Sequence, residues 1–368
     1  MKIALTATTS WNLYNSRLIL ARDLKSAGHT VHFFAPEDEF TKYLIADGFK
    51  WHDFPIKPRG KSVFEEVKSL LFLINLYRSE KPDLVNNFTP KGVIYGSLAA
   101  RIAGIKRIYN TITGLGFAFS TNAGTFLRNL LIFLYRISLK NTVILFQNRD
   151  NLDYFIKSGL STHKNSILIS GSGVDMDRFA PSPEPNKGKI IVILPSRFVE
   201  EKGIRYFVEA AKIIKSQNLP IRMVLIGKAE PDQPTSINQN EITTWVTEGI
   251  VEWWGWHNEM EKIYPLAHIV CLPTYYMEGI PKSLIEAAAC GRPLIATNVP
   301  GCREIIHEGE NGILVPVKNA KLLANAIIQL ANDGDLRRRM GKQSRIIAET
   351  EYSAKIIVNE YFNAYNLV

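Results

Sequence analysis

Short runs of β-branched and aromatic residues alternate with amphipathic segments along the first half of the chain. The runs predict strands at residues 2–7, 30–35, 84–87, 107–110, 142–146 and 167–169. The segments between them carry apolar residues at helical spacing, which predicts helices at residues 18–27, 63–78 and 93–103. Such an alternation is typical of a parallel sheet covered by helices.

A segment rich in proline and polar residues, 180–189, interrupts this pattern, and the alternation then starts again. Further strands are predicted at residues 190–194, 221–226, 251–254, 269–272 and 294–297, with a helix at 203–217. The pattern therefore predicts an α/β protein with two doubly wound parallel-sheet (Rossmann-like) domains, residues 1–180 and 181–350, facing across a cleft. Because ligands of such sheets bind beyond the carboxyl ends of the strands, we expect the site in that cleft.

The composition is that of a folded globular protein. The 368 residues are 46% apolar and 21% charged, which excludes extensive disorder. No uncharged apolar run reaches the length of a membrane-spanning helix, and the opening residues predict a strand rather than a signal peptide. Three cysteines without close spacing, Cys271, Cys290 and Cys302, indicate a reducing compartment, and we expect a cytoplasmic protein.

The net charge of +9 is confined to the first half of the chain. Residues 1–180 hold 23 basic and 14 acidic side chains, whereas residues 181–368 hold 21 of each. Within the first half, residues 84–149 carry eight basic side chains and no acidic one. This asymmetry indicates an anionic partner, which would be nucleic acid, acidic lipid or a phosphorylated substrate, and a solubilising surface is the alternative.

For two apolar segments the sequence is compatible with two different environments. Residues 125–140 are apolar around most of the helical circumference, with basic residues in between. They can lie at a membrane interface or pack against their own sheet, because hydrophobic periodicity does not separate the two. Residues 69–77 leave the same alternatives.

The strongest chemical pattern lies in residues 273–293. A strand ends before it, a turn follows, and a helix is predicted to begin near Pro281, since proline suits the first helical turn. The backbone amides at this helix start favour an anion such as a diphosphate. Two carboxylates flank them, Glu278 before the helix and Glu286 inside it, and carboxylates accept hydrogen bonds from sugar hydroxyls. An acidic helix cap is the alternative for Glu278.

These residues resemble a known enzyme family. The sequence EGIPKSLIEAAACGRPLIAT, which begins at Glu278, is similar to the donor-binding signature of retaining family 4-type glycosyltransferases with the GT-B fold. Residues 196–203 resemble the family's Arg…Lys-Gly loop, residues 224–227 its next strand end, and residues 173–175 its domain-crossing segment. The resemblance covers most of residues 165–330.

The resemblance implies a role for each matching residue. Arg197 and Lys202 would bind the donor diphosphate and Glu278 the hydroxyls of the donor sugar, and these three are the expected catalytic residues. Glu286 would bind the ribose. Fixed cations and a helix start would stabilise the charge on the leaving nucleoside diphosphate without a metal. The other predicted donor-binding residues are Trp254, Gly255 and Trp256 at the nucleobase, with Gly173, Val174, Gly227, Gly279, Ile280, Pro281, Lys282, Ser283 and Leu284.

The first half departs from the family's commonest pattern, because Thr113 stands where many members carry a histidine. Its motifs resemble a bacterial subgroup that extends sugars on polyprenyl-diphosphate carriers, often with N-acetylhexosamine donors. Arg17 and Lys91 are assigned to the acceptor phosphates, with a solvated surface charge as the alternative. The resemblance also implies that residues 351–368 form a helix crossing back to the N-terminal domain. The predicted acceptor-binding residues are Asn15, Arg17, Thr89, Lys91, Thr113 and Gly114.

No metal or other cofactor is predicted. Asp175 and Asp177 form a D-x-D pair of the kind that can hold a divalent ion on a diphosphate. They overlap the domain-crossing segment, however, where the resemblance implies a turn. The seven histidines show no paired spacing, so the sequence predicts no zinc site.

Together these interpretations predict a retaining, metal-independent glycosyltransferase. It would move an N-acetylhexosamine from a UDP-linked donor to a lipid-diphosphate-linked saccharide in bacterial glycan assembly. The expected partners are the donor, the lipid-linked acceptor and the cytoplasmic face of an anionic membrane, and no nucleic acid. A nucleotide-sugar 2-epimerase of the same fold is the alternative, and incubation with the nucleotide sugar alone separates the two. A nucleic-acid-binding protein and a dinucleotide oxidoreductase have less support, since the chain lacks a recognition motif and a G-x-G-x-x-G turn.

Overall fold

The computed structural model describes residues 1–57, 62–114, 124–186, 188–231, 233–276 and 278–367. The chain divides into two compact units, Met1–Gly173 with Ala354–Val368, and Val174–Ser353. Each unit is built around one parallel sheet with helices between successive strands. The prediction of two parallel-sheet α/β domains is thereby confirmed.

The first unit contains a sheet whose described strands run in parallel. These strands are β1 (Lys2–Thr6), β2 (Thr30–Ala35), β3 (Lys50–Asp53), β4 (Leu84–Phe88), β5 (Arg107–Ile112), β6 (Val143–Phe146) and β7 (Ser166–Leu168). The helices are α1 (Ser10–Ser26), α2 (Thr41–Ala46), α3 (Val63–Glu80), α4 (Pro90–Ile102), α5 (Thr125–Ser138), α6 (Arg149–Lys157) and, at the end of the chain, α13 (Ala354–Ala364). The strand order is β3-β2-β1-β4-β5-β6-β7.

The second unit repeats this plan. Its strands are β8 (Ile190–Pro195), β9 (Ile221–Ile226), β10 (Glu252–Trp253), β11 (Ile269–Leu272), β12 (Leu294–Thr297) and β13 (Gly312–Val315). Its helices are α7 (Ile204–Ser216), α8 (Gln239–Thr247), α9 (Lys282–Ala289), α10 (Pro300–Ile305), α11 (Ala320–Asn332) and α12 (Gly334–Glu351). The parallel strands follow the order β10-β9-β8-β11-β12-β13.

The boundary between the units lies before the proline-rich segment, so the predicted boundary at residue 180 is too late. Val174 and Phe179 are buried in the core of the second unit. The proline-rich segment itself is held to that unit, where Glu184 pairs with Arg337 at 3.0 Å. Its composition therefore marks a segment along the surface of one domain rather than a linker between two.

The strand β3 was not predicted, because its sequence Lys-Trp-His-Asp contains no apolar run. It lies at the edge of the first sheet, beside β2. An edge strand is buried less than a central one, so its residues are intermediate or exposed and give no hydrophobic signal.

In each sheet the strand order reverses at one point, between β1 and β4 and between β8 and β11. The connections from the two central strands leave in opposite directions there, which opens a crevice at the carboxyl ends of the strands. The segments that follow these four strands are therefore the places where the fold favours ligand binding.

Within the described ranges, every helix is too short or too polar to span a bilayer.

Helix α12 packs against α9 through a close backbone approach at Gly341. A methyl group added there would lie 2.3 Å from the carbonyl oxygen of Gly291. We expect Gly341→Ala to lower the free energy of unfolding by about 1–3 kcal/mol, because backbone has to move to relieve the overlap.

Gly334→Ala is the matched control at the start of the same helix, where an added methyl would meet only the ends of arginine side chains. Urea unfolding of both variants measures the difference. Equal stabilities for the two would contradict the close approach at Gly341.

Candidate active site

Hydrogen bonds join the turn after β8 to the loop after β11. The backbone oxygen of Glu201 accepts hydrogen bonds from Thr274 Oγ1 and from the backbone amide of Tyr275, each at 2.9 Å. Gly203 makes this approach possible, since a methyl group there would lie 2.0 Å from the carbonyl oxygen of Pro273. The two loops at the reversal point of the second sheet therefore form one rigid structure.

This structure brings Lys202 and Glu278 together. Lys202 Nζ donates to Glu278 Oε1 at 2.6 Å, and Thr274 Oγ1 lies 3.1 Å from the same oxygen. The two charged side chains are only 13% and 15% exposed. Limited solvent strengthens their coupling compared with a surface pair. A cation and a carboxylate side by side suit a ligand that carries both phosphate and hydroxyl groups.

Arg197 follows β8, as Lys202 does, but it has a different partner. Its guanidinium donates to Glu230 Oε2 at 3.1 Å, and Gln233 Nε2 donates to the same oxygen at 2.5 Å. Glu230 was not predictable from the sequence, because it lies in the irregular segment after β9, where spacing carries no signal.

The helix α9 begins at Lys282, close to the predicted start, and holds Glu286 on its buried side. Tyr264 Oη donates to Glu286 Oε2 at 3.1 Å, and Lys282 Nζ lies 3.6 Å from Oε1. Burial raises the pKa of Glu286, against the opposing effects of Lys282 and Tyr264. Tyr264 lies in the short turn Tyr264–Leu266, and the sequence analysis missed it.

The loop before α9 is also fixed from its other side. A methyl group on Gly301, at the start of α10, would lie 1.6 Å from the carbonyl oxygen of Gly279. Ile280, Pro281 and Leu284 are buried, while Ser283 is partly exposed and its carbonyl oxygen accepts a hydrogen bond from Tyr264. The backbone conformation at the helix start is thus set by packing.

The ends of β9 and β10 meet at two glycines. The backbone amide of Gly227 donates to the oxygen of Gly255 at 2.8 Å, and a methyl on Gly227 would lie 1.9 Å from the oxygen of Ser196. Beyond them, Trp256 is exposed with Lys228 Nζ 4.7 Å from its ring centroid. The neighbouring Trp254 donates its indole N–H to Glu252 at 3.0 Å.

Gly173 and Val174 lie where the chain passes from one unit to the other. Val174 is buried, and its amide donates to the oxygen of Tyr352 at 3.0 Å. Asp175 closes the following turn, since its Oδ1 accepts from the amides of Asp177 and Arg178 at 3.0 and 2.9 Å. The D-x-D pair therefore shapes a turn, as the resemblance implies.

In the first unit, three threonines follow the adjacent strands β1, β4 and β5. Thr8 Oγ1 donates to Thr89 Oγ1 at 3.1 Å. Thr89 has φ +67°, which is strained for a β-branched residue, and strain of this kind clusters at functional sites. Thr113 and Gly114 are partly exposed after β5, and residues 115–123 lie outside the described residues. Asn15 is partly exposed on α1.

The two basic residues assigned to the acceptor phosphates are less available than expected. Arg17 is only 2% exposed, and its guanidinium lies 4.4 Å from the ring centroid of Phe88. Its assignment to a phosphate is therefore not supported by the geometry. The spacing 13, 17, 20 and 24 already places Arg17 on the apolar face of α1. Lys91 is paired with Glu66 at 2.6 Å.

The fold and this site define the GT-B class, two Rossmann-like domains with a ligand site at the reversal point of the second. HepE from Anabaena, solved in complex with UDP, has the same fold, with a TM-score of 0.81, 17% identity and 100% of both chains covered. Residues 175–346 match the family model described as glycosyl transferases group 1, and residues 2–148 match that of the glycosyl transferase 4-like family. The chain is therefore a GT-B glycosyltransferase with a group 1 second domain and a glycosyl transferase 4-like first domain, which confirms the family resemblance.

Two relatives are similar to this chain over most of their length. N,N'-diacetylbacillosaminyl-diphospho-undecaprenol alpha-1,3-N-acetylgalactosaminyltransferase from Campylobacter jejuni is 26% identical over 100% of this chain and 99% of that protein. UDP-Gal:alpha-D-GlcNAc-diphosphoundecaprenol alpha-1,3-galactosyltransferase from Escherichia coli is 27% identical over 80% of this chain and 77% of that protein.

Burial of Glu286 has a consequence for stability. Because its folded pKa lies above the unfolded value of 4.5, the folded state binds the proton more tightly, and stability falls as pH rises through the raised pKa. The side chain of Glu286→Gln does not ionise, so the stability of this variant does not fall with pH for this reason. We expect its melting temperature, relative to wild type, to rise between pH 4.5 and 8.

Thermal unfolding across that range measures the difference, with Glu310→Gln, an exposed residue of the same unit, as the control. A pH-independent difference between Glu286→Gln and wild type would contradict the burial effect.

Proposed function

We propose that the protein is a retaining, metal-independent glycosyltransferase that transfers a sugar from a UDP-linked donor to a lipid-diphosphate-linked saccharide in bacterial glycan assembly. The observation that carries the proposal is the Lys202–Glu278 pair beside the start of α9. Both relatives named above carry a diphospho-undecaprenol acceptor in their names, and the Campylobacter relative transfers an N-acetylhexosamine, which is the sugar we propose here.

The donor diphosphate binds to Lys202, to Arg197 and to the start of α9. Arg197 exchanges its partner Glu230 for a phosphate oxygen, since a diphosphate offers the guanidinium a bidentate acceptor. Backbone amides in the first turn of a helix, together with its dipole, favour the same anion. The backbone amides of Gly279, Ile280, Lys282 and Ser283 are held in place for this by the packing of Gly301 and Tyr264.

The rest of the donor lies on either side of the diphosphate. Glu278 accepts hydrogen bonds from hydroxyls of the transferred sugar, while Lys202, which donates to Glu278 in the structure, binds a phosphate oxygen. Glu286, which Lys282 and Tyr264 orient, binds the ribose hydroxyls. The nucleobase lies along Trp254–Trp256, whose backbone the contact between Gly227 and Gly255 fixes.

The transfer breaks the bond between the anomeric carbon and the diphosphate oxygen and forms a bond from that carbon to the acceptor oxygen. The leaving diphosphate gains negative charge, which Lys202, Arg197 and the helix start stabilise. The acceptor hydroxyl attacks on the face from which the diphosphate leaves and passes its proton to an oxygen of the β-phosphate. The product therefore keeps the anomeric configuration of the donor, and no metal is needed for charge stabilisation.

The first unit binds the acceptor. Thr89, held in a strained conformation next to Thr8, and Thr113 with Gly114 lie at the carboxyl ends of neighbouring strands. Their hydroxyl and backbone groups suit the saccharide of the acceptor. Lys91 contacts its phosphates by exchange with Glu66. Asn15, which is partly exposed on α1, is the remaining acceptor-binding residue of the proposal.

The lipid part of the acceptor lies in a membrane, so the protein needs a surface that binds the membrane. Helices α3 and α5 provide that surface. Phe126, Leu130, Phe133 and Ile137 are exposed at helical spacing along α5, with Phe126 at 83% and Phe133 at 56% exposure. α3 adds further exposed apolar side chains, and α4 contacts both helices. An apolar stripe next to exposed basic residues is the pattern of a helix lying in an anionic interface, which on this proposal is the cytoplasmic face of the membrane. The exposed basic residues near this stripe are Arg128, Arg136 and Lys140.

A transfer assay with UDP-sugars and an undecaprenyl-diphosphate-linked acceptor tests the reaction. We expect Lys202→Met and Glu278→Gln to lower kcat/KM by about 10²–10³-fold, because each removes a group that stabilises the transition state. Lys212→Met, which removes a surface lysine paired with Glu209, is the matched control and should keep wild-type rates.

The same assay reads out the product anomer by NMR. An inverted product would exclude front-face transfer, and unchanged rates for both site variants would contradict the assignment of the pair. Release of an epimerised nucleotide sugar in the absence of acceptor would instead favour the epimerase alternative.

Membrane binding is tested separately. We expect the double variant Phe126→Asp/Phe133→Asp to bind phosphatidylglycerol vesicles at least about tenfold more weakly, since two exposed apolar anchors are lost. Co-sedimentation measures it, with Leu322→Asp, an exposed apolar residue of the second unit, as the control. If neither the double variant nor added salt reduced vesicle binding, the result would argue against docking through α5.

A further inference from the structure

A cluster of side chains that can bind a metal ion lies in the first unit, at the end of the sheet opposite Thr8, Thr89 and Thr113. His32 lies on β2, His52 on β3 and Glu80 at the end of α3. In the parallel register, His52 lies opposite Phe34, two residues beyond His32, so the two histidines project from the same face of the sheet. Three elements that are far apart in sequence thus bring their polar groups to one point.

Three atoms with lone pairs converge there. His52 Nε2 lies 3.2 Å from His32 Nδ1, and His32 Nδ1 lies 3.3 Å from Glu80 Oε2. The ligand atoms of the three residues all lie within 4.8 Å of one another. A single proton between two of them leaves the lone pair of the third facing the same point, whereas a cation at the centre satisfies all three.

Two of the spacings, 3.2 and 3.3 Å, are close to those of a tetrahedral metal site, and His52 Nδ1 lies 3.8 Å from Glu80 Oε1. With bonds of about 2.0–2.2 Å, neighbouring ligands of tetrahedral zinc lie about 3.3–3.6 Å apart. From this geometry we infer that His32, His52 and Glu80 bind a divalent transition-metal ion, of which Zn²⁺ is the natural test case. Two imidazoles, one carboxylate and one water complete its four ligands.

The surroundings suit the neutral imidazoles that a metal requires. Burial lowers the pKa of both histidines, that of His32 to about 4. The ring of His52 stacks on Phe34 with the ring centroids 4.6 Å apart, which fixes its orientation. Lys50 competes with a metal ion for the Glu80 carboxylate, because its Nζ donates to both Glu80 oxygens at 2.9 and 3.0 Å. Lys2 Nζ lies 3.8 Å from Glu80 Oε2.

The position of the cluster indicates a structural role. Glu80 comes just before β4, and its neighbours Lys2 and Lys50 are the first residues of their strands. Thr8, Thr89 and Thr113 follow the opposite, carboxyl ends of strands in the same sheet. A metal here would tie the end of α3 to the edge strand β3 without contacting the substrates, so metal binding and sugar transfer are separable.

Zinc titration of the full chain, stripped with EDTA and dialysed, tests the site by calorimetry, with Co²⁺ absorption reporting tetrahedral coordination. We expect one Zn²⁺ per chain and a higher melting temperature with zinc. His52→Gln should weaken binding at least about tenfold. His163→Gln, which removes an exposed histidine outside the cluster, is the matched control.

Lys50→Met gives an independent readout, because it keeps all three ligands and removes the competing ammonium from an exposed position. It should tighten zinc binding. A wild-type chain that takes up no zinc, or a Lys50→Met variant that binds it no more tightly, would overturn the inference, even if His52→Gln failed to fold. Transfer activity of His52→Gln should equal that of wild type, so the result does not depend on the proposed reaction.

Discussion

The backbone oxygen of Glu201 is the point on which the geometry of the Lys202–Glu278 pair depends. It accepts hydrogen bonds from the side chain of Thr274 and the amide of Tyr275, both from the loop after β11. The Glu201 carboxylate is itself fixed, since Thr235 donates to Oε2 at 2.8 Å. Lys202 and Glu278 follow these anchored residues, so their close pairing results from backbone geometry rather than from mutual attraction alone.

This arrangement explains why so many glycines surround the site. Gly203, Gly227 and Gly301 each lie against a backbone oxygen at a distance that no side chain would permit. Each contact joins the end of one strand or the start of one helix to a neighbouring loop. The result is a backbone around Lys202 and Glu278 that packing holds in one conformation, whichever partners the charged side chains take.

In the first unit, buried polar contacts join the central strands to the residue that follows the last helix. Asn86 donates to Tyr365 Oη at 2.5 Å and accepts from Thr111 Oγ1 at 3.1 Å. Tyr365 follows α13 and is fully buried, with its ring next to those of Tyr109 and Tyr361. These bonds attach the chain end to the centre of the sheet, which is why residues from Ala354 onward belong to the first unit although they follow the second.

The sequence predicted what depends on local pattern and missed what depends on tertiary contact. The central strands and the start of α9 were predictable because their apolar runs and Pro281 are local signals. Strand β3 and the partner Glu230 were not, since an exposed edge and an irregular loop carry no periodicity. Arg17 is a third case. Its spacing from the apolar residues of α1 indicates burial, but its positive charge led to its assignment to a phosphate.

The fold pairs some of the surplus basic residues within the protein and leaves others exposed, which the composition does not show. Arg101 donates to backbone oxygens at the end of α5, including that of Ser138 at 2.8 Å, and Arg107 donates to the backbone oxygen of Tyr365. Lys91 is neutralised by Glu66. The basic residues that remain exposed include Arg128, Arg136 and Lys140 around the apolar stripe of α5. The charge available to an anionic partner is therefore smaller than the count suggests, but it is concentrated where apolar side chains can enter the same surface.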